Sequence, residues 1–188
     1  MGVWIALLRG VNVGGHHKIP MEALRRLCSD VGWRNPQTYI QSGNVVFESR
    51  VRKASQLAAS IETAIEAEFG FRPDAMLRAA EELREAIDRN PFAAQAVTSP
   101  SKLAVSFLKE EPAAGEPIDF RPFAKGGEQV ERIGRQLYLY FPEGMGKSKL
   151  QMPALERALR AAGQKSNSGT ARNWNTVLAL LAMAESRG

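Results

Sequence analysis

Six short segments fill the first 79 residues, and the order of their hydrophobic periods leaves few folds open. Val3–Arg9 is short, apolar and bounded by glycine, which predicts a strand. Met21–Val31 repeats apolar residues at 21, 24, 27, 28 and 31, a helical stripe, with Pro20 suited to its start. Thr38–Ile40 and Val45–Glu48 are rich in strand formers. Between them Gln41-Ser42-Gly43-Asn44 predicts a hairpin turn. Leu57–Phe69 has apolar residues at 57, 58, 61, 65 and 69, one face of a helix, and Gly70 is its stop. Pro73–Leu77 is a fourth, weaker strand. The order β-α-β-β-α-β is the split arrangement of ferredoxin-like domains, an α+β fold.

That order has a geometric consequence. A crossover through the first helix makes strands 1 and 2 parallel, and strand 3 fits between them, antiparallel to both. The end of strand 1 and the turn between strands 2 and 3 then share one edge of the sheet. Arg9–Lys18 and Gln41–Asn44 are therefore expected to be neighbours. The alternative is two unrelated surface loops with turn-forming glycines.

The remainder reads as a second, similar α/β half. Glu81–Arg89 looks helical and ends at Asn90-Pro91. Lys102–Lys109 is a strand, and Glu110–Pro117 a loop. Val130–Ile133 and Gln136–Phe141 form a hairpin turning at Gly134-Arg135. Leu155–Ala162 and about Ala171–Glu185 are helices. The expected division is residues 1–79 for the ferredoxin-like subdomain and 80–188 for the second. The second half echoes the first in element order, but no sequence repeat establishes a duplication.

The loop Arg9-Gly10-Val11-Asn12-Val13-Gly14-Gly15-His16-His17-Lys18 is the first candidate site. Glycines let backbone N–H groups approach a ligand closely, and the cations favour an anion. Arg9, Asn12 and Lys18 are the expected anion ligands, with Gly14 and Gly15 giving backbone access. Ser42 and Asn44, across the predicted sheet edge, would orient the ligand.

Two later motifs repeat the theme. Gly146-Lys147-Ser148 invites comparison with a nucleotide-binding P-loop, but Phe141 stands where that pattern needs its first glycine. A Walker site is rejected. Lys147 and Ser148 then read as phosphate holders at a helix start, or as a plain capped helix in which Ser148 and Gln151 have capping-box spacing. Thr170-Ala171-Arg172-Asn173-Trp174-Asn175-Thr176 is expected at the head of the last helix, with Thr170 as N-cap. Trp174, Val177, Leu178 and Leu181 would be its apolar face. Arg172 and Asn173 either complete an anion site or simply dress a capped helix.

Charge is unevenly spread. Residues 1–60 carry a net +5, residues 61–120 a net −6, and residues 121–188 a net +6. Basic ends that met in space would make one positive surface; the alternative is scattered solvated charge. Cys28 is the single cysteine and lies on an apolar helical stripe, so it reads as core, with no disulfide and no CxxC redox chemistry. His16 and His17 are the only histidines and lack a second ligand pair, so no metal and no cofactor is expected. No apolar stretch approaches the roughly 20 residues of a membrane span, and no signal-peptide core is seen. A cytoplasmic location without membrane association is expected, and the oligomeric state is not fixed.

Three segments together carry a resemblance. They are Ile5–Gly15 (IALLRGVNVGG), Tyr39–Phe47 (YIQSGNVVF) and Thr170–Val177 (TARNWNTV), with Gly144-x-Gly146-Lys147-Ser148-Lys149-Leu150 beside them. They resemble the bacterial family called domain of unknown function 1697, over nearly the whole chain. The resemblance implies a ferredoxin-like α/β arrangement in two similar halves and supplies no activity. His16-His17 departs from the Lys and Asn that relatives often carry there.

The expected function is binding of an anionic ligand that carries phosphate. A small phosphorylated molecule is favoured over nucleic acid, because no exposed aromatic series of the single-strand-binding kind is evident. One alternative is an enzyme, a transferase or hydrolase on a small phosphorylated substrate, with no catalytic residue assigned. Another is a protein-interaction module without a small ligand.

Overall fold

The computed structural model describes residues 1–111, 118–161 and 168–187. Most of the loop expected at Glu110–Pro117, and the last residue of the helix expected at Leu155–Ala162, lie outside the described residues. The chain divides into two compact units. Met1–Glu85 with the residues from Ala179 onward make the first, and Ala86–Leu178 the second.

The first unit runs β1 (Gly2–Leu8), α1 (Met21–Asp30), β2 (Arg34–Tyr39), β3 (Asn44–Ser49), α2 (Ala54–Phe69), β4 (Ala75–Ala79) and α3 (Ala80–Asp88). Its sheet order is β2-β3-β1-β4, and every pair is antiparallel. Strands β1 and β2 both run against β3, so they are parallel to each other, as the crossover argument requires. Period-2 alternation sorts the central strand. Trp4, Ala6 and Leu8 point into a core with Leu24, Leu27 and Cys28 of α1 and Leu57, Ile61 and Ile65 of α2. Ile5 and Leu7, on the other face of β1, are also fully buried. A strand buried on both faces reads as a continuous apolar run, which is how Val3–Leu8 reads.

Boundaries moved where local chemistry was strong. Strand β2 starts at Arg34, four residues before the predicted Thr38, and runs through Pro36. It is an edge strand whose register shifts between Arg34 and Gln37, where Asn35 takes φ +49°. Proline is tolerated on an edge because no neighbour needs its missing N–H. Ile40 falls outside the strand, in the turn. Helix α2 ends as predicted, with Gly70 left-handed and its N–H bonded to the Glu66 carbonyl at 2.9 Å.

The second unit holds α4 (Ala93–Thr98), β5 (Leu103–Leu108), β6 (Gln129–Ile133), β7 (Gln136–Tyr140), α5 (Met152–Ala161), β8 (Gly169–Asn173) and the start of α6 (Trp174–Glu185). Its sheet order, β6-β7-β5-β8, repeats that of the first unit, again antiparallel throughout. Ala104, Leu108, Leu137 and Leu139 pack with Leu155 and Leu159 of α5.

The echo between halves extends to single hydrogen bonds. Leu8 N–H donates to the Gly43 carbonyl at 2.9 Å, and Leu108 N–H to the Arg135 carbonyl at 2.9 Å. Arg9 N–H donates to the Asp74 carbonyl, and Lys109 N–H to the Ser168 carbonyl, both at 2.9 Å. Each fourth strand carries a buried arginine facing the first strand, Arg78 opposite Ile5 and Arg172 opposite Val105. The two halves thus share the element order read from the sequence, and a topology, without a sequence repeat.

Two expectations are corrected here. Gly169–Asn173 is strand β8, so Thr170 is not the N-cap of the last helix. Leu178 is 41% exposed; the buried side of α6 is Trp174, Val177, Leu180 and Ala184. Among the described residues no helix is long and apolar enough to cross a membrane.

Candidate functional site

The first candidate loop and the β2–β3 turn do meet. Leu7 pairs with Asn44 in the sheet register, so Arg9 and Asn44 sit at the same end. The link is Asn12. Its Nδ2 donates to the Gln41 carbonyl at 2.8 Å and to the Ile19 carbonyl at 3.0 Å, while its Oδ1 accepts from Ile19 N–H at 2.8 Å. One side-chain amide therefore closes the loop on itself and ties it to a turn 29 positions away. Asn12 takes φ +56°, a conformation asparagine tolerates better than most residues.

The loop tip is a small hairpin. Val13 bridges His16, whose N–H donates to the Val13 carbonyl at 3.1 Å. Gly14 and Gly15, at φ +60° and +80°, are its two central residues, and the mirror-image turn needs positive φ at both. Both glycines are exposed, as are His16 and Lys18. His17 folds back, its ring stacked on Phe71 at 4.2 Å and its Nδ1 3.3 Å from the Gly10 carbonyl. Arg9 is half-buried at the base of the loop.

Asn44 is fully buried. Its Nδ2 donates to the Tyr39 carbonyl at 3.0 Å and to Ser42 Oγ at 2.9 Å, which fixes the turn. Asn12, Ser42 and Asn44 are thus spent largely on building the loop cluster. Lys18 and the Gly14-Gly15 main chain are what that cluster exposes, with Arg9 half-buried at its base.

The Lys147-Ser148 motif is organised by a residue that the sequence pattern did not single out. Glu128 is buried, and its Oε1 accepts from Ser148 Oγ at 2.8 Å and Lys149 N–H at 2.6 Å. Its Oε2 accepts from Gly126 N–H at 2.7 Å. Burial pushes this carboxyl up. Hydrogen bonds from Ser148 and from the N–H groups of Glu128 itself, Gly126 and Lys149 outweigh it and hold the pKa at about 2. The hollow lined by Gly126, Glu128, Lys147 and Ser148 measures about 10 Å³, room for no more than one water. The chain's own anion sits where a phosphate was expected. Ser148 also accepts from Leu150 N–H at 3.0 Å, and the helix starts only at Met152, so the capping box with Gln151 does not form. The available signal was Gly126-Gly127-Glu128, a carboxylate set behind two glycines.

The third motif spans a strand-to-helix junction. Asn173, not Thr170, caps α6: its Oδ1 accepts from Asn175 N–H at 3.0 Å. Its Nδ2 donates to the Ser101 carbonyl at 3.2 Å. Arg172 is buried in β8, and its Nη1 donates to Thr170 Oγ1 at 2.6 Å and the Ala171 carbonyl at 3.0 Å. Burial lowers its pKa to about 10, still charged near neutral pH. Arg172 and Asn173 belong to the second unit, and these contacts give both a structural duty there.

Comparison with known proteins adds a family. The model described as "Protein of unknown function (DUF1697)" matches residues 1–138. The chain belongs to this family. No curated protein matches it. Among solved structures it is similar to the conserved bacterial protein SP0830 from Streptococcus pneumoniae. That match has 22% identity and a TM-score of 0.71, and covers 98% of this chain and 99% of the other. At that identity the likeness concerns the fold.

Cys28 is fully buried on α1, and desolvation raises its thiol to about 12, which leaves no thiolate for nucleophilic work. Among the described residues, no group of three or more His, Cys, Asp or Glu side chains could hold a metal ion.

Proposed function

We propose that the loop cluster of the first unit binds an anionic, phosphate-bearing ligand. Lys18 and Arg9 would supply positive charge, and the Gly14-Gly15 main chain close backbone approach. The observation that carries this reading is the Asn12 clip, which makes one polar surface from two distant loops. Neither Arg9–Pro20 nor Ile40–Asn44 contains an acidic residue. The neighbouring acid is Asp74, whose main-chain carbonyl accepts from Arg9 N–H.

In this reading Asn12, Ser42 and Asn44 shape the site and do not meet the ligand. Ser148, Arg172 and Asn173 are engaged within the second unit, so the ligand roles expected of them drop out of the proposal. Lys147 stays an exposed cation there, beside a hollow of only about 10 Å³. A small phosphorylated molecule fits better than nucleic acid, because the cationic surface is a single short loop.

The test is titration of the full chain with inorganic phosphate, pyrophosphate and ATP, followed through the amide signals of Gly14 and Gly15. Those signals are expected to move. Lys18→Ala and Arg9→Ala should each weaken binding about tenfold or more, since a hydrogen bond to a charged group is worth roughly 1.5–3 kcal/mol. Unmoved glycine signals, or affinity undiminished in both variants, would sink the reading. A steep fall of affinity with salt, seen for generic DNA alone, would redirect it to nucleic acid.

A further inference from the structure

The opposite end of the same sheet holds a cavity that the loop cluster does not touch. It measures about 560 Å³ and opens where β1 and β3 reach Gly2 and Ser49. Small-molecule sites run from about 300 to 1,000 Å³, so the space suits a ligand of nucleotide size. Strand β1 is seven residues long, which sets the two ends about 23 Å apart.

Its wall is cationic and underused. Arg50 and Arg52 line it, and among the described residues neither guanidinium has a hydrogen-bond or ion-pair partner. Glu81 is the carboxylate in the wall, and it too has no such partner among the described residues. A third donor comes from the floor. Trp4 is 8% exposed and lines the cavity, and its indole N–H has no hydrogen-bond partner among the described residues. A polar group so nearly buried normally finds a partner. The indole nitrogen lies against Gly2: a Cβ there would sit 3.3 Å from Nε1. Glycine at that position, itself in the cavity wall, leaves free the space beside Nε1 that a side chain would take. Helix α2 begins two residues after Arg52, with no side-chain cap and no acid in its first turn. That end adds positive potential beside the arginines.

We infer that this cavity is a second anion site, taking a small molecule that bears a phosphate group. Two guanidiniums and an indole N–H together suit a group with three acceptor oxygens. A carboxylate would be satisfied by one arginine. The inference does not depend on the loop cluster, which shares no residue with the cavity.

The experiment is titration of the untagged full chain with AMP, inorganic phosphate and adenosine. It is read at the three tryptophan indole N–H signals, with Trp4 assigned through Trp4→Phe. AMP and phosphate are expected to move the Trp4 signal and leave those of Trp33 and Trp174 in place, and adenosine should move none. The double substitution Arg50→Ala/Arg52→Ala should lower AMP affinity at least a hundredfold. Glu81→Gln should raise it several-fold, a gain that misfolding cannot produce. A static Trp4 signal, an equal response to adenosine, or undiminished affinity in the double variant would overturn the inference.

Discussion

A Cβ placed on Gly43 would lie 2.8 Å from Leu8 Cβ and 3.4 Å from Val11 Cβ. Gly43 also sits at φ +72° and offers its carbonyl to Leu8 N–H. Space and backbone both demand glycine. Gly43→Ala is expected to cost about 2–4 kcal/mol, from roughly 1–2 for the left-handed backbone and the rest from overpacking. Gly14 has φ +60° with nothing within 4 Å of its Cβ position, so Gly14→Ala should cost about 1–2 kcal/mol. Urea unfolding of the two variants side by side checks the difference. Equal losses would show that the Leu8 contact carries no weight.

Asn173 is expected to be worth more to α6 than the rest of β8 before it. Asn173→Ala removes the cap on Asn175 N–H and the bond to Ser101, and should cost about 1–2 kcal/mol. Asn173→Asp keeps the cap and loses only the amide donor, so it should cost less. A thermal melt in which Asp is no better than Ala would refute the capping role.

That helix also shows what the sequence could and could not reveal. The segments of the first unit were legible because β1 is one short apolar run and α1 and α2 each present one clean apolar period to one core. The pairing of Arg9–Lys18 with Gln41–Asn44 followed from topology alone. Strand β8 was hidden because Thr170-Ala171-Arg172-Asn173 has no apolar alternation, its buried positions being Thr170 and Arg172. A buried arginine reads as surface in any hydrophobic pattern. The role of Glu128 was hidden for another reason. Its partners Gly126, Ser148 and Lys149 meet only after the hairpin and the loop beyond it have folded, so spacing alone could not identify it. Asn12 was read as an anion ligand, and its amide is bonded to the Gln41 and Ile19 main chain; an amide that binds a ligand and an amide that binds backbone look alike in sequence.

Glu128 makes the second unit sensitive to acid. Its carboxyl titrates at about 2 when folded against 4.5 ordinarily, so the folded state binds fewer protons. The stability it confers is fully present above pH 4.5 and is lost as the pH falls toward 2. Glu128→Gln should lower stability at about pH 7 and flatten its dependence on pH between roughly 5 and 2. Denaturant midpoints measured across that range test this. Parallel pH profiles for the two proteins would rule the carboxylate out as the cause.

Ile40 sets backbone strain beside the loop cluster. It takes φ +48° although it is β-branched, and it is 53% exposed, so buried packing offers little return for the strain. Its neighbour Gln41 supplies the carbonyl that Asn12 holds. The strained residue therefore aims the acceptor that joins the two loops. Ile40→Asn keeps the left-handed backbone at lower cost and should raise stability by about 1 kcal/mol, or roughly 2–4 °C in Tm. Ile40→Pro forces φ to about −65°, turns the chain away and should break the Asn12–Gln41 bond. The Asn12 side-chain amide signals report that bond directly. They should persist in Ile40→Asn and shift in Ile40→Pro, with a loss of stability in the second variant. If Ile40→Asn were the less stable of the two, the exposed side chain, not the backbone, would be what the fold requires at this turn.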